Sequence, residues 1–327
     1  MSDKILVVVG AGYVGSHACK ALAAAGYEPV VLDSLITGHR WAVQWGDLLE
    51  GDLGDEAFLR SVLREHDFAA VMHFAAFASV AESVMYPERY YRNNVANSLN
   101  LLEAMREAGP KRIVFSSSCA VYGIPRRVPI TEDTPLGPIN PYGASKQFVE
   151  HMLEAYGAAH GFEWAALRYF NASGADPDGM IGEAHDPETH LLPLAINAAL
   201  DPSAELAIFG TDFPTPDGTA VRDYVHVDDL ATAHLLAMEH LARGGANVAL
   251  NLGTGNGHSV RQVVDAVHRV VGQKMNLRTQ PRRPGDPPEL VADAGKAEKV
   301  LGWRAQWTDL DAVIDSAVRW HRKRNDR

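Results

Sequence analysis

The stretch VVVGAGYVGSH, residues 7–17, sets an apolar, β-branched run against three glycines and then a helical pattern. Gly10, Gly12 and Gly15 form G-x-G-x-x-G at that junction. The order has a physical use: the first glycine permits a tight turn, the second lets the backbone approach a pyrophosphate, and the third brings helix and strand together. Free N–H groups at the helix start then face the anion. Alone the pattern is weak, because a glycine turn that only packs a helix reads the same way. Its sequel carries more weight. Asp33 ends the next apolar run, 18 residues after Gly15, where a carboxylate accepts adenosine ribose hydroxyls and repels a 2′-phosphate. Ser34 and Leu35 follow with no arginine to welcome that phosphate, so NAD is expected rather than NADP.

Outward from this turn the rhythm repeats. KILVVV (4–9), EPVVLD (28–33), FAAVMHFAA (68–76), RIVFSS (112–117) and EWAALRYF (163–170) lack polar alternation. Such runs read as strands covered on both faces of a parallel sheet. Helical patterns fall between them at 13–25, 55–65, 93–108 and 144–160. Strand and helix in alternation mean a Rossmann-type, doubly wound α/β fold. After Phe170 the Gly-, Pro- and Asp-rich NASGADPDGMIGEAHDPETH breaks the rhythm, and helices are expected near 193–200, 227–242, 259–271 and 310–324. The chain therefore divides into an NAD-binding domain over 1–172 and a smaller α/β substrate domain over 173–327, with the helix at 227–242 packing back on the first.

Composition bounds the function. The 327 residues are 46% hydrophobic and 22% charged, as in ordinary globular proteins. A formal net charge of −11 repels nucleic acid, and an anionic substrate would need a local basic pocket. No signal peptide pattern opens the chain, and no apolar stretch approaches the roughly 20 residues that span a bilayer. Cys19 and Cys119 make neither a CxxC nor a disulfide framework, so the cytoplasm is the expected location. No metal-ligand spacing stands out.

The chemistry lies in NPYGASKQFVE, residues 140–150, which holds the chain's one Tyr followed four positions later by Lys. One helical turn puts Tyr142 and Lys146 on a shared face. A free phenol with a pKa near 10 is a poor base, and a nearby cation lowers it toward the working range. A surface tyrosine beside a solvated lysine has the same spacing. FSSSCAVYG (115–123) follows a strand, where the crevice of an open α/β sheet lies, and Ser118 there can pass a proton between a substrate hydroxyl and Tyr142. Ser116 and Ser117 are expected to satisfy turn backbone.

Together these motifs resemble the extended branch of the short-chain dehydrogenase/reductase superfamily. GYVGSH, HFAAFASVAESV, YYRNNVANSLNLL, PYGASK, LRYFNASGA, LAIFGTDFPTPDGTAVRDYVHVDDLA, NLGTGNGHSV and RRPGD are similar, in order, to the UDP-glucose (UDP-galactose) 4-epimerases within it. The resemblance implies a tightly held NAD and a UDP-sugar oxidised at C4, turned, and reduced on its other face. It makes Tyr142 the base, Lys146 the holder of the nicotinamide ribose, and Ser118 the proton aid. It assigns Gly10, Gly12, Tyr13, Val14, Gly15, Asp33, Ser34, Asp52, Leu53, Phe74, Ala75, Ala76, Asn94, Lys146 and Phe170 to the cofactor. To the UDP-sugar it assigns Ser118, Tyr142, Asn171, His190, Leu191, Ala207, Phe209, Arg222, Arg283, Asp286 and Leu290. The two arginines would clamp a diphosphate, although each also has an acidic neighbour to pair with, Asp223 or Asp286. A homodimer through the helices at 93–108 and 144–160 is implied too, with Val95, Leu99, Leu102, Phe148 and Met152 as their extra apolar positions.

The chain departs from the family pattern in places. Val8 and Val9 stand where Thr-Gly is frequent, His190 where an Asn is found, and Ala78 where some members carry Lys. Leu290 takes the place of a Tyr typical of members restricted to UDP-glucose and UDP-galactose, which leaves UDP-N-acetylhexosamines and UDP-pentoses open. Cys119 and Ala120 replace the acidic pair of a dehydratase. An oxidoreductase with exchanging NAD and a silent NAD sensor are the remaining alternatives, the second disfavoured because Tyr142 and Lys146 are both kept.

Overall fold

The computed structural model describes residues 3–283 and 286–325, so Pro284 and Gly285 of the RRPGD segment lie outside the described residues. Its first part runs β1 (Lys4–Val8), α1 (Tyr13–Ala24), β2 (Glu28–Asp33), β3 (Asp47–Glu50), α2 (Glu56–Glu65), β4 (Phe68–His73), α3 (Val80–Met85), α4 (Pro87–Tyr90), α5 (Asn97–Ala108), β5 (Arg112–Ser118), α6 (Pro141–His160) and β6 (Glu163–Tyr169). There follow β7 (Asn171–Ser173), α7 (Leu191–Leu200), β8 (Glu205–Phe209), β9 (Val221–His226), α8 (Val227–Ala242), β10 (Val248–Leu252), β11 (Gly257–Ser259), α9 (Val260–Val271), β12 (Asn276–Gln280), β13 (Glu289–Leu290), α10 (Gly295–Leu301) and α11 (Leu310–Asn325).

Seven strands form one parallel sheet in the order β10-β6-β5-β4-β1-β2-β3. The unbroken apolar runs are explained by its two covered faces. Ile5, Val7, Val31 and Met72 pack with Ala18 and Leu22 of α1 and Leu230 and Met238 of α8. Their neighbours Leu6, Val8, Leu32 and Val71 turn the other way, onto Leu59 of α2, Leu101 of α5 and Leu153 of α6. Strand order reverses at β1 and β4, and ligands bind beyond the carboxyl ends of strands at such a switch point. A separate core joins α7, α9 and α11 through Ile196, Val267 and Ile314.

Two strands of the sheet were not legible as strands. The edge strand β3 is only DLLE, and β10 comes from beyond residue 172 to form the other edge, as α8 comes back to pack on α1. The helix expected from 144 starts at Pro141, because Asn140 caps it, its side-chain oxygen accepting from the Gly143 N–H at 2.8 Å. The helix expected from 93 opens as a π turn over Tyr91–Ala96, and the regular α5 begins at Asn97. No helix among the described residues is long and apolar enough to cross a membrane.

Candidate active site

At the end of β1 the chain turns through Val9 and the three glycines into α1. Gly12 caps that helix without any side-chain hydrogen bond, so the first N–H groups face outward. A Cβ on Gly15 would collide with the Val9 carbonyl oxygen and stand 2.9 Å from the Gly10 Cα, so the third glycine does serve close packing. Val9 itself has φ of 61°, a left-handed conformation costly for a β-branched side chain. The glycine that this position usually carries thus has a conformational reason, and here the turn holds strain instead.

Asp33 is 2% exposed at the end of β2. Its carboxylate accepts the N–H groups of Ala11 at 2.9 Å and Leu35 at 2.8 Å, tying the glycine turn to the β2 loop, while burial raises its pKa. Ser34 is half-buried beside it, and Tyr13 donates its hydroxyl to the Gly174 carbonyl at 2.6 Å. Phe74, Ala75 and Ala76 follow β4. The Phe74 ring lies 4.7 Å from that of His234 of α8, tilted by 37°. Asn94 is buried in the π turn, accepting from the Phe77 N–H at 2.9 Å and donating to Ser145 of α6 at 3.0 Å. Leu53 and Phe170 are buried, whereas Asp52 is exposed and accepts the Gly54 N–H at 2.6 Å.

Tyr142, Lys146 and Ser118 converge in the crevice, buried at 9%, 2% and 7% exposure. Close approach makes this possible: a Cβ on Gly143 would stand 3.0 Å from the Ala120 carbonyl carbon, so α6 lies against the turn after β5. The Lys146 ammonium donates to the Ser116 carbonyl at 2.7 Å and sits 5.9 Å from the Tyr142 ring centroid. Burial dominates both titrations. It pulls Lys146 down to about 7, with Glu150 acting upward, and it pushes Tyr142 up, against the downward pull of the Ser118 hydroxyl. In the protein by itself the expected lowering of the phenol by Lys146 is not seen: burial raises Tyr142, and the ammonium is aimed at a carbonyl.

The other two serines are also corrected. Ser116 donates its hydroxyl to the Tyr169 oxygen at 2.9 Å, and Ser117 donates to the Glu150 carboxylate at 2.5 Å. Neither caps a turn. Glu150 stands one turn past Lys146 on α6 and grips Arg168 from β6 through bonds of 2.9 and 2.6 Å, both side chains nearly without exposure. Its place at i, i+4, i+8 with Tyr142 and Lys146 was the missed signal.

Across the crevice, Arg222 of β9 pairs with Asp286, while Arg283 lies 4.0 Å over the Phe209 ring. Asp223 does not pair with Arg222, because its buried carboxylate accepts from Thr254, Gly255 and Ala292. Leu290 in β13 sits in register with Arg222 and is buried. Arg222 is near enough to Cys119 to lower its thiol against burial, which links this group to the Ser118 turn. Ala207 lies on β8 with Phe209, and Asn171 lies on β7 beside β9. His190 and Leu191 start α7, and the His190 ring is held by Glu183.

The residues present fit a dinucleotide: an uncapped helix start, a buried carboxylate at the second strand end, and a buried ammonium with protons beyond its one acceptor. The chain belongs to the NAD dependent epimerase/dehydratase family, whose model matches residues 5–253. It is 51% identical over 324 residues to the UDP-glucose 4-epimerase of Rhizobium meliloti (strain 1021), spanning 99% of this chain and 98% of that one. The crystal structure of the Brucella ovis UDP-glucose 4-epimerase in complex with NAD superposes with a TM-score of 0.94 at 51% identity, over 97% of this chain and 98% of that one. The Bifidobacterium longum UDP-glucose 4-epimerase with NAD+ and UDP gives 0.94 at 38% identity, over 99% of both chains.

Proposed function

We propose that this chain is an NAD-dependent 4-epimerase that interconverts UDP-galactose and UDP-glucose. The observation that carries this is the buried meeting of Tyr142, Ser118 and Lys146 at the switch point, with Arg222 across the crevice. NAD when bound supplies a positively charged ring that accepts and returns a hydride. Its dinucleotide would lie on the α1 N-terminus and Asp33, with Leu53, Phe74 and Asn94 along its path. Tyr142 Oη would take the proton of the sugar 4-hydroxyl, with Ser118 Oγ as relay, and would give it back after the keto sugar turns. Lys146 would hold the nicotinamide ribose and favour the phenolate once it is charged. Arg222 and Arg283 would grip the diphosphate, Arg222 exchanging Asp286 for phosphate oxygens.

The division at residues 172 and 173 would then separate cofactor from UDP-sugar contacts, apart from α8 and β10. A dimer is supported by Leu99 and Phe148, which are 41% and 50% exposed, with Tyr91 6.1 Å from Phe148 by ring centroids. Leu102 does not take part, being core. The two buried free cysteines agree with the reducing cytoplasm. A second reading, acceptance of UDP-N-acetylhexosamines, rests on Leu290, a side chain smaller than the tyrosine of the restricted members.

The test is turnover of UDP-galactose by purified protein without added cofactor, followed by NMR, with nucleotide identified after denaturation. NAD release and UDP-glucose formation are expected, and Tyr142→Phe is expected to cost about 10²–10⁴ in kcat. Undiminished turnover by Tyr142→Phe would remove the assignment of the base. Leu290→Tyr is expected to depress N-acetylated substrates selectively.

A further inference from the structure

A second group of reactive side chains lies outside the catalytic set, on the segment that enters α7. Glu183, His185, Glu188 and His190 each present one ligand atom, and these four atoms lie within 4.8 Å of one another. The Glu183 carboxylate is 5% exposed and that of Glu188 is 12%. His185 Nδ1 stands 3.1 Å from Glu183 Oε1 and 3.7 Å from Glu188 Oε1, yet it is buried and makes no hydrogen bond of acceptable geometry. His190 Nδ1 closes on the same Glu183 oxygen from the other side.

We propose that Glu183, His185, Glu188 and His190 form a binding site for a divalent transition-metal ion of the zinc type. Ligands at bonds of about 2.0–2.2 Å around a tetrahedral ion stand roughly 3.3–3.6 Å apart, and the His185 separations bracket that value. Two imidazoles with two carboxylates suit zinc and cobalt(II) better than magnesium or calcium, which prefer all-oxygen sets. Two carboxylate charges also balance a dication in a place where an uncompensated charge is costly.

The backbone at Glu183 and Ala184 is fixed from outside the group. Trp320 of α11 donates its indole N–H to the Glu183 carbonyl at 3.0 Å, and the His39 ring bonds the Ala184 carbonyl at 2.6 Å. The His190–Glu183 contact must open to admit the ion, and Glu188, whose Oε1 accepts the N–H groups of Thr189 at 2.7 Å and His190 at 2.9 Å, must turn an oxygen toward it. Because His190 precedes α7 directly, the ion would pin the start of that helix. The rival is a proton-linked network in which Glu183 is shared by two imidazolium rings and takes up no metal.

The test uses tag-free full-length protein stripped with chelator and then titrated with Zn2+ alone or Co2+ alone. Calorimetry is expected to show about one ion per chain, thermal unfolding to shift upward, and Co2+ to give the intense visible absorption of four-coordinate geometry. His185→Gln and Glu188→Gln, which keep similar volume, are expected to weaken binding by about 100-fold or more, beyond the effect of losing an outer-shell partner. Absence of saturable binding in the unmodified protein would establish the proton network, whatever the variants do. Equal binding by the His185→Gln, Glu188→Gln double variant would place the ion elsewhere. Both results overturn the proposal, and neither depends on epimerase activity.

Discussion

Replacing Glu150 by Gln probes the support behind Tyr142 and Lys146. Glu150 is 2% exposed and Arg168 is 6%, and the guanidinium also donates to the Tyr122 hydroxyl at 2.9 Å, whose own proton goes to Asn251 at 2.7 Å. Gln keeps the size and loses the charge, leaving an uncompensated buried guanidinium. Breaking one partner of such a pair costs about 3–5 kcal/mol. At about 2 °C per kcal/mol for a chain this long, Tm should fall by roughly 6–10 °C. Replacing both partners by apolar groups removes the orphaned charge, so Glu150→Leu with Arg168→Met should recover about half of the loss or more. The pH–rate profile gives a second readout. Glu150 holds the Lys146 pKa up, and a charged Lys146 is lost as pH rises through about 7. Removing the carboxylate lowers that pKa, so the alkaline limb should move to lower pH. Urea and thermal unfolding of the three proteins, with activity from pH 6 to 9, measure both effects. A Glu150→Gln protein of unchanged stability, or a double variant less stable than the single one, would refute the reasoning.

Other perturbations read other parts of the structure. Gly15→Ala should abolish NAD retention and lower stability by several kcal/mol, because the new Cβ meets the Val9 carbonyl; nucleotide released on denaturation and a urea titration check this. At Val9, Gly should be about 1 kcal/mol more stable than Ala, since both lack the isopropyl group but only Gly, without a Cβ, is at ease at φ 61°. Acid should unfold the protein steeply. Burial lowers His17 and His234 to about 4 and His73 and His226 to about 3, so below 6.5 the unfolded chain binds protons that the folded one refuses. Their contribution is complete above 6.5 and is lost as pH falls toward 3–4. Asp228, raised to about 7, opposes roughly one of the four, so these five groups together contribute a slope of about 3–4 kcal/mol per pH unit between 6 and 5, with urea midpoints rising as pH rises.

The sheet was readable in the sequence wherever burial on both faces forced an unbroken apolar run, as in β1, β2, β4, β5 and β6. β3 escaped because DLLE lies at an edge with half its residues exposed, and β10 because nothing local to VALNL says which sheet it joins. The meeting of Tyr142, Lys146 and Ser118 was readable because helical spacing and strand ends are local facts. The Arg168–Glu150 pair, the Arg222–Asp286 pair and the direction of the Tyr142 shift depend on which distant segments meet. Ser117 pairing with Glu150 rather than with turn backbone has the same cause, as does the His190 ring turning to Glu183.

The central claim is that one bound cofactor carries the C4 hydrogen away from the sugar and back while Tyr142 moves only the hydroxyl proton. Purified protein given UDP-galactose deuterated at C4, in ordinary water and without added NAD, tests this directly by mass spectrometry and NMR of the product. The account predicts UDP-glucose with the deuterium retained at C4. Exchange of that deuterium for solvent hydrogen, or no conversion by protein shown to hold NAD, would contradict it.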